Sequence, residues 1–185
     1  MSAHRQIILA SASPRRRALL ESACFTVDVR PSRADETWPG GDPQSAVMAL
    51  AQRKLGAVNL AGGLGLAADT VVMLHEEVLG KPADRPEAIS TLQRLSGEVH
   101  RVVTGFCMKH QSQEYSAAVV TEVAFRQLSL DEIERYVDED EPFDKAGSYG
   151  IQGAGGFLVD WVKGSYTNVV GLPLREVMDA MESLA

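Results

Sequence analysis

The stretch that most constrains this chain is Ile7-Ile8-Leu9-Ala10, followed at once by Ser11-Ala12-Ser13-Pro14-Arg15-Arg16-Arg17. The apolar segment reads as a short buried strand. Ala18-Leu19-Leu20-Glu21 behind it reads as helix. Ser13 is a good N-cap, and Pro14 then falls at the first helical position, where its missing N–H costs nothing. The helix therefore opens with three arginines, although the positive end of its dipole disfavours cations there. On that ground alone, replacing Arg15 or Arg16 should slightly stabilise the unliganded chain. Such local conflicts are expected at functional sites. A bound polyanion resolves this one, because helix-terminal N–H groups, two serine hydroxyls and guanidinium groups together make a phosphate cradle. An ordinary exposed helix start, with its arginines in water, reads equally well from this stretch alone.

Length and charge narrow the partners. A chain of 185 residues with 45% hydrophobic content suffices for one globular domain over residues 1–185, drawn out into two lobes. The net charge of −7 argues against a nucleic-acid binder that works through a broad basic surface. A small basic pocket in an acidic protein fits a small anionic ligand instead. Cys24 and Cys107, distant and each in apolar sequence, suggest reduced thiols in a cytosolic protein, not a disulfide framework or zinc site. The N-terminus does not read as a signal peptide, and no apolar run is long enough to span a bilayer.

Along the chain, Phe25–Val29 alternates and reads as a second strand. The loop from Pro31 to Gly41 carries Asp35 and Glu36, read as solvated acids or as one acid facing a metal-bound phosphate. Asp42-Pro43 opens a helix whose stripe is Val47, Leu50, Ala51, Leu55 and Val58. Lys54 falls on that stripe, and spacing alone does not separate a snorkelling lysine from one that reaches a phosphate. Leu66–Leu74 is a strong strand signal with Asp69 near its middle. Such a carboxylate reads either as a strand-end Asp bonded to neighbouring backbone or as a general base or metal ligand at a sheet mouth, and the apolar residues on both sides favour the second. A turn at His75–Glu77 and a return through Val78-Leu79 lead to Gly80-Lys81-Pro82. A helix over 84–96, with Ala88, Ile89, Leu92 and Leu95 inward, stops at Gly97. Two long strands, 99–108 and 115–126, follow. His100 and His110 lack metal-ligand spacing and read as structural or exposed.

Ser129 and Glu132 form a capping box for a helix to about Val137, and Asp138–Glu141 reads as its solvated end. The glycine-rich run Asp144–Gly153 has no period and is a candidate functional loop. Gly155–Val162 reads as strand. Asn168 and Gly171 read as turn residues, and a closing helix from Pro173 buries Leu174, Val177, Met178, Met181 and Leu184.

Ser11-x-Ser13-Pro14-Arg15-Arg16, Ala68-Asp69-Thr70, Gly80-Lys81-Pro82, Asp144-Lys145-Ala146-Gly147 and Gly171-Leu172-Pro173 occur in this order over nearly the whole chain. In this the chain resembles the Maf family of nucleoside triphosphate pyrophosphatases, named for inhibition of septum formation. The resemblance implies an α/β fold: a single elongated domain with a long mixed twisted sheet flanked by helices. Two lobes would enclose a central cleft, as in inosine triphosphatase-like folds. It implies cleavage between the α- and β-phosphates with a divalent cation, Mg2+ or Mn2+. Carried over by motif, Asp69 is the general base, and Ser11, Arg15, Arg16, Lys54 and Lys81 grip the phosphates. Ser13, Thr70, Lys145 and Gln152 complete the substrate-binding set, and Glu36 joins Asp69 at the metal. Ile151-Gln152-Gly153 resembles the dTTP/UTP branch, and Arg15, Thr70 and Gln152 match the positions that separate the branches. A neutral amide such as Gln152 can accept from the N3–H of uracil or thymine while donating to O4.

The resemblance further implies cytoplasmic residence, often a homodimer, and housekeeping removal of pyrimidine triphosphates with a link to cell-division arrest. Two other readings stand beside it. One is a 7-methyl-GTP-type pyrophosphatase of the same family. The other is a non-catalytic nucleotide-binding regulator of septum formation, which has no need of a carboxylate aimed at the phosphate.

Overall fold

The structure is a computed structural model that describes residues 6–140 and 142–184. It is α/β, with a mixed seven-stranded sheet flanked by helices. The strands are β1 (Gln6–Leu9), β2 (Thr26–Val29), β3 (Gly65–Leu74), β4 (Glu77–Leu79), β5 (Val99–His110), β6 (Gln113–Phe125) and β7 (Val159–Lys163). The helices are α1 (Pro14–Ser22), α2 (Pro43–Gly56), α3 (Arg85–Leu95), α4 (Leu130–Asp140), α5 (Tyr166–Val170) and α6 (Leu174–Ser183). The strand order is β2-β1-β3-β5-β6-β7, with β4 paired to β3. Among the described residues, no helix is long and apolar enough to cross a membrane.

The chain forms two compact units. The first takes the residues through Thr70, Thr104–Val119 and those from Gly171 onward; the second takes Val71–Val103 and Val120–Val170. In the first unit β1 runs parallel to both β2 and β3. Because β1 lies between them, right-handed crossovers carry α1 and α2 over opposite faces of the sheet. The burial pattern agrees. Ile7, Leu9, Leu66, Ala68, Phe106 and Met108 share a core with Leu20 of α1 and with Val177, Ala180 and Met181 of α6. Ala10, Ala67 and Cys107, offset by one residue, share the other core with Ala51 and Leu55 of α2. Each fully buried leucine, such as Leu20, contributes about 1.5–3 kcal/mol by leaving water.

The caps read from sequence form as expected. Ser13 accepts from the Arg16 N–H at 3.4 Å and Asp42 from the Ser45 N–H at 2.9 Å; Asp84, expected as the first helical residue, instead caps α3, accepting from the Glu87 N–H at 2.9 Å. The Ser129–Glu132 box closes both ways at 2.8 and 3.3 Å. Its helix runs to Asp140, past the expected end near Val137, and Glu141 lies outside the described residues.

In the second unit β3 meets β4 antiparallel, and β6 meets β7 antiparallel. His100, Phe125 and Tyr149 stack edge to face, with His100 Nε2 and the Tyr149 hydroxyl 2.7 Å apart. Burial lowers the His100 imidazole to about 4 and raises the Tyr149 phenol. Asn168 is fully buried, donating to Val102 O at 3.1 Å and Thr121 Oγ1 at 2.9 Å, so it ties the core together and is more than a turn residue.

Three local expectations are corrected. Gly155–Leu158 belongs to a 3₁₀ segment over Gly153–Leu158, and the strand begins only at Val159. The segment before α6 contains a further short helix, α5. Cys24 is exposed at φ 65°, whereas Cys107 is buried and its thiol is pushed up to about 11.

Candidate active site

β1 reaches only the level of Leu66, since Ile8 and Leu9 align with Gly65 and Leu66, while β3 runs on through Leu74. Ser11 therefore enters its loop beside the part of β3 that β1 no longer covers. Along β3 every residue is buried except Asp69 and Thr70, which are half-exposed. Successive side chains on a strand point to opposite faces. Thr70 therefore shares the α1 and α6 face with Leu66 and Ala68, and Asp69 shares the α2 face with Ala67. Open parallel sheets bind ligands beyond the carboxyl ends of strands where the connections switch faces, and β1 is such a strand.

On the α2 face, Lys54 is the buried cation. Its Nζ donates to Asp69 Oδ1 at 2.6 Å and lies 2.9 Å from Glu36 Oε2. The Lys54 side chain is 9% exposed, Asp69 15% and Glu36 58%. Gly105 helps to bring α2 there: a Cβ on it would lie 2.5 Å from the backbone of Val47 and Met48, so only glycine permits the helix to sit so close to β5. The two loop acids divide their work. Asp35 accepts from the Thr37 N–H and hydroxyl at 2.9 and 2.6 Å and so closes a turn, whereas Glu36 faces Lys54.

On the α1 face, Arg16 is a clamp. Its Nε donates to Gly171 O at 2.8 Å, Nη1 to Ser11 Oγ at 3.0 Å and Nη2 to Thr70 Oγ1 at 3.1 Å. Five N–H groups form the guanidinium fork, so two remain, one on each Nη. Burial lowers its pKa, partly offset by Asp69, while Arg15 lowers it further. Ser11 Oγ also accepts from the Ser13 N–H at 3.2 Å, which folds the loop back on itself. The Ser13 hydroxyl serves as the helix cap. Arg15, in the first turn of α1, is half-buried.

The first unit thus brings together Ser11, Ser13, Arg16, Glu36, Lys54, Asp69 and Thr70 and holds Arg15 beside Arg16. Lys81, Lys145 and Gln152 belong to the second unit. Lys81 is exposed beyond β4, and Lys145 lies 3.1 Å from Asp144 and 3.5 Å from Asp140. Gln152 is exposed and caps nothing with its side chain. A Gly147 N–H bond to Gly80 O at 3.0 Å ties the segments that carry Lys81 and Lys145.

Two site residues have roles that sequence reasoning did not assign, although Gly171 belongs to the Gly171-Leu172-Pro173 motif. Thr104, fully buried on β5, lies 2.9 Å from Thr70 through their hydroxyls. Gly171, at φ 121°, presents its carbonyl to Arg16. A threonine in a β-rich run and a glycine before a helix give no signal of such roles.

A divalent cation fits the α2 face by donor chemistry. Two carboxylates converge on one cationic point, and hard oxygen donors suit Mg2+ or Mn2+. Among the described residues, no group of three or more His, Cys, Asp or Glu side chains is arranged for a metal. An ion held at Glu36 and Asp69 would therefore complete its shell with water and ligand oxygens, as magnesium commonly does with phosphates.

A family model described as Maf-like protein matches residues 6–184. The chain is 48% identical over 177 residues to a dTTP/UTP pyrophosphatase of Thermococcus onnurineus, covering 95% of this chain and 96% of that protein. It is 49% identical over 176 residues to a protein of the same name from Anaeromyxobacter dehalogenans, with 92% and 90% covered. A third, from Desulforamulus reducens, is 44% identical over 182 residues, with 96% and 95% covered.

Proposed function

The chain belongs to the Maf-like protein family, and on that premise we propose that it hydrolyses dTTP and UTP to the monophosphate and pyrophosphate. The relatives that bear this name support the substrate assignment and do not favour the 7-methyl-GTP or non-catalytic readings. The observation that carries the chemistry is Asp69: a carboxylate in mid-strand whose Oδ1 is held by Lys54 at 2.6 Å. In the nucleotide-free chain this contact pairs the carboxylate with a cation and keeps it in place, ready for the general-base role.

The triphosphate must be neutralised before water can approach it. Arg15, the two remaining Arg16 N–H groups and the helix N-terminus grip the phosphates on this reading, with Lys54, Lys81 and Lys145 as further cations. Asp69 takes a proton from a water aimed at the α-phosphorus. A new O–P bond forms there, the bond to the bridging oxygen breaks, and pyrophosphate leaves with its charge held by the cations. Glu36 and Asp69 would hold Mg2+ or Mn2+, which when bound would add charge neutralisation and make a water more acidic. Thr70, Arg15 and Gln152 select the base, Gln152 through the N3–H and O4 edge.

The same reading extends to a cytoplasmic housekeeping enzyme, often a homodimer, that needs neither nucleic acid nor membrane and is linked to septum formation. The test is pyrophosphate release across a panel of triphosphates in ¹⁸O-water. UTP and dTTP should be the best substrates, with label in the monophosphate. Release of inorganic phosphate, or label in pyrophosphate, would refute the alignment of the attack.

A further inference from the structure

We propose that Lys54 is an exchangeable counter-cation that holds the place of the divalent ion in the nucleotide-free protein. The inference rests on the reading that Glu36 and Asp69 are the metal ligands. Lys54 Nζ stands 2.6 Å from Asp69 Oδ1 and 2.9 Å from Glu36 Oε2, where a cation shared by both carboxylates would sit. One ammonium between two carboxylates leaves a net charge of −1. Asp69 on β3 and Glu36 on its more exposed loop would otherwise repel, and the ammonium between them keeps the pair assembled.

A divalent ion at the point shared by both carboxylates competes with the ammonium for the same oxygens and is repelled by its charge. Leaving them requires a new anionic partner, because a largely buried, unpaired lysine is unfavourable. The triphosphate is such a partner. Lysine is suited to the exchange: its charge is compact and its four-carbon stem rotates. The stem stays packed along α2 while the head turns from carboxylate to phosphate. Lys54 thereby couples metal entry to nucleotide entry. The free protein binds the ion weakly, and the metal–triphosphate pair enters together. Coupling of this kind is reciprocal, so metal and polyphosphate raise each other's affinity by the same factor.

The test measures Mn2+ binding to the full chain by calorimetry and EPR, without nucleotide and then with inorganic tripolyphosphate. Lys54→Met should bind Mn2+ at least tenfold more tightly than wild type without polyphosphate. With tripolyphosphate present that advantage should vanish or reverse, because only wild type can hand its ammonium to the phosphate. Lys54→Gln, which keeps a polar head, provides a second variant should Lys54→Met fold poorly, and it should follow the same pattern. Equal or weaker Mn2+ binding in both variants would overturn the inference. So would an advantage unchanged by tripolyphosphate, which would mark simple charge repulsion. Adding Asp69→Asn to the Lys54→Met background should abolish the tight binding. If the double variant keeps it, the metal-ligand reading itself is wrong.

Discussion

Changing Arg16 to lysine keeps the charge and removes the fork. The guanidinium joins three segments: the loop after β1 through Ser11, strand β3 through Thr70, and the approach to α6 through the Gly171 carbonyl. A lysine head donates from a single point and reaches one of these acceptors well. Two bonds from a charged donor are lost, each contributing about 1.5–3 kcal/mol to stability. The site is half-exposed, so water can replace part of the loss. A net cost of about 2–3 kcal/mol remains, equivalent to a fall of roughly 4–12 °C in melting temperature for a chain of this size. Thermal melts of the nucleotide-free variant would measure it. Arg17→Lys is the control, since Arg17 only pairs with Glu21 on the surface, and should move the melt by less than about 2 °C. An Arg16→Lys melt within 1 °C of wild type would refute the clamp. Arg16→Ala, which removes the charge as well, should also destabilise, opposite to the sign the helix dipole alone gives, because three hydrogen bonds outweigh a dipole penalty of about 0.3–1 kcal/mol.

Three further outcomes are expected. Asp69→Asn should lower turnover by roughly 10²–10⁴ while nucleotide binding persists, as single-turnover and equilibrium binding measurements would report. Thr104→Val should lose roughly 5-fold in kcat/KM for UTP through a Thr70 hydroxyl that has lost an anchor, and Thr104→Ser should restore it; equal loss in both variants would mean packing alone. His100, buried neutral with its pKa lowered to about 4, takes up a proton in the unfolded chain near pH 6.5 but in the folded chain only near pH 4. Its contribution is thus complete above about pH 6.5 and is lost as pH falls to about 4, on the order of 3 kcal/mol. Urea unfolding at pH 7 and pH 5 should show the slope in wild type, and His100→Asn should flatten it.

The parts of the molecule written in local chemistry were legible from the start. Ser13-Pro14, Asp42-Pro43 and the Ser129–Glu132 box fix helix starts through contacts within four residues, and all of them form. Asp69 stood out because a carboxylate inside an apolar strand has no local explanation. Lys54 was placed on its stripe, but its role depends on Asp69, fifteen residues away, and on a loop acid that looks no different from its neighbour Asp35. Thr104 and Gly171 act through partners 34 and 155 residues distant, respectively Thr70 and Arg16, which no local pattern encodes. Phe157-Leu158-Val159 is an apolar run of the kind strands carry, yet its first two residues close a 3₁₀ segment beside four glycines of the 150–156 run. The β-branched Thr167, Val169 and Val170 likewise concealed α5.

The adjacency of Asp69 and Thr70 bears on how such a protein can change over time. Consecutive positions on β3 send the Asp69 carboxylate, proposed to react, to the α2 side and the Thr70 hydroxyl, proposed to select, to the α1 side. Mutational drift around Arg16, Thr104 and Gly171 can therefore retune preference while the Lys54–Glu36 side stays intact, so new substrates are reachable by point substitution. Insertion or deletion of one residue upstream in β3 has no such freedom. It would exchange the two faces at a stroke and lose both functions together, which makes strand length here a quantity that selection must hold fixed while sequence varies.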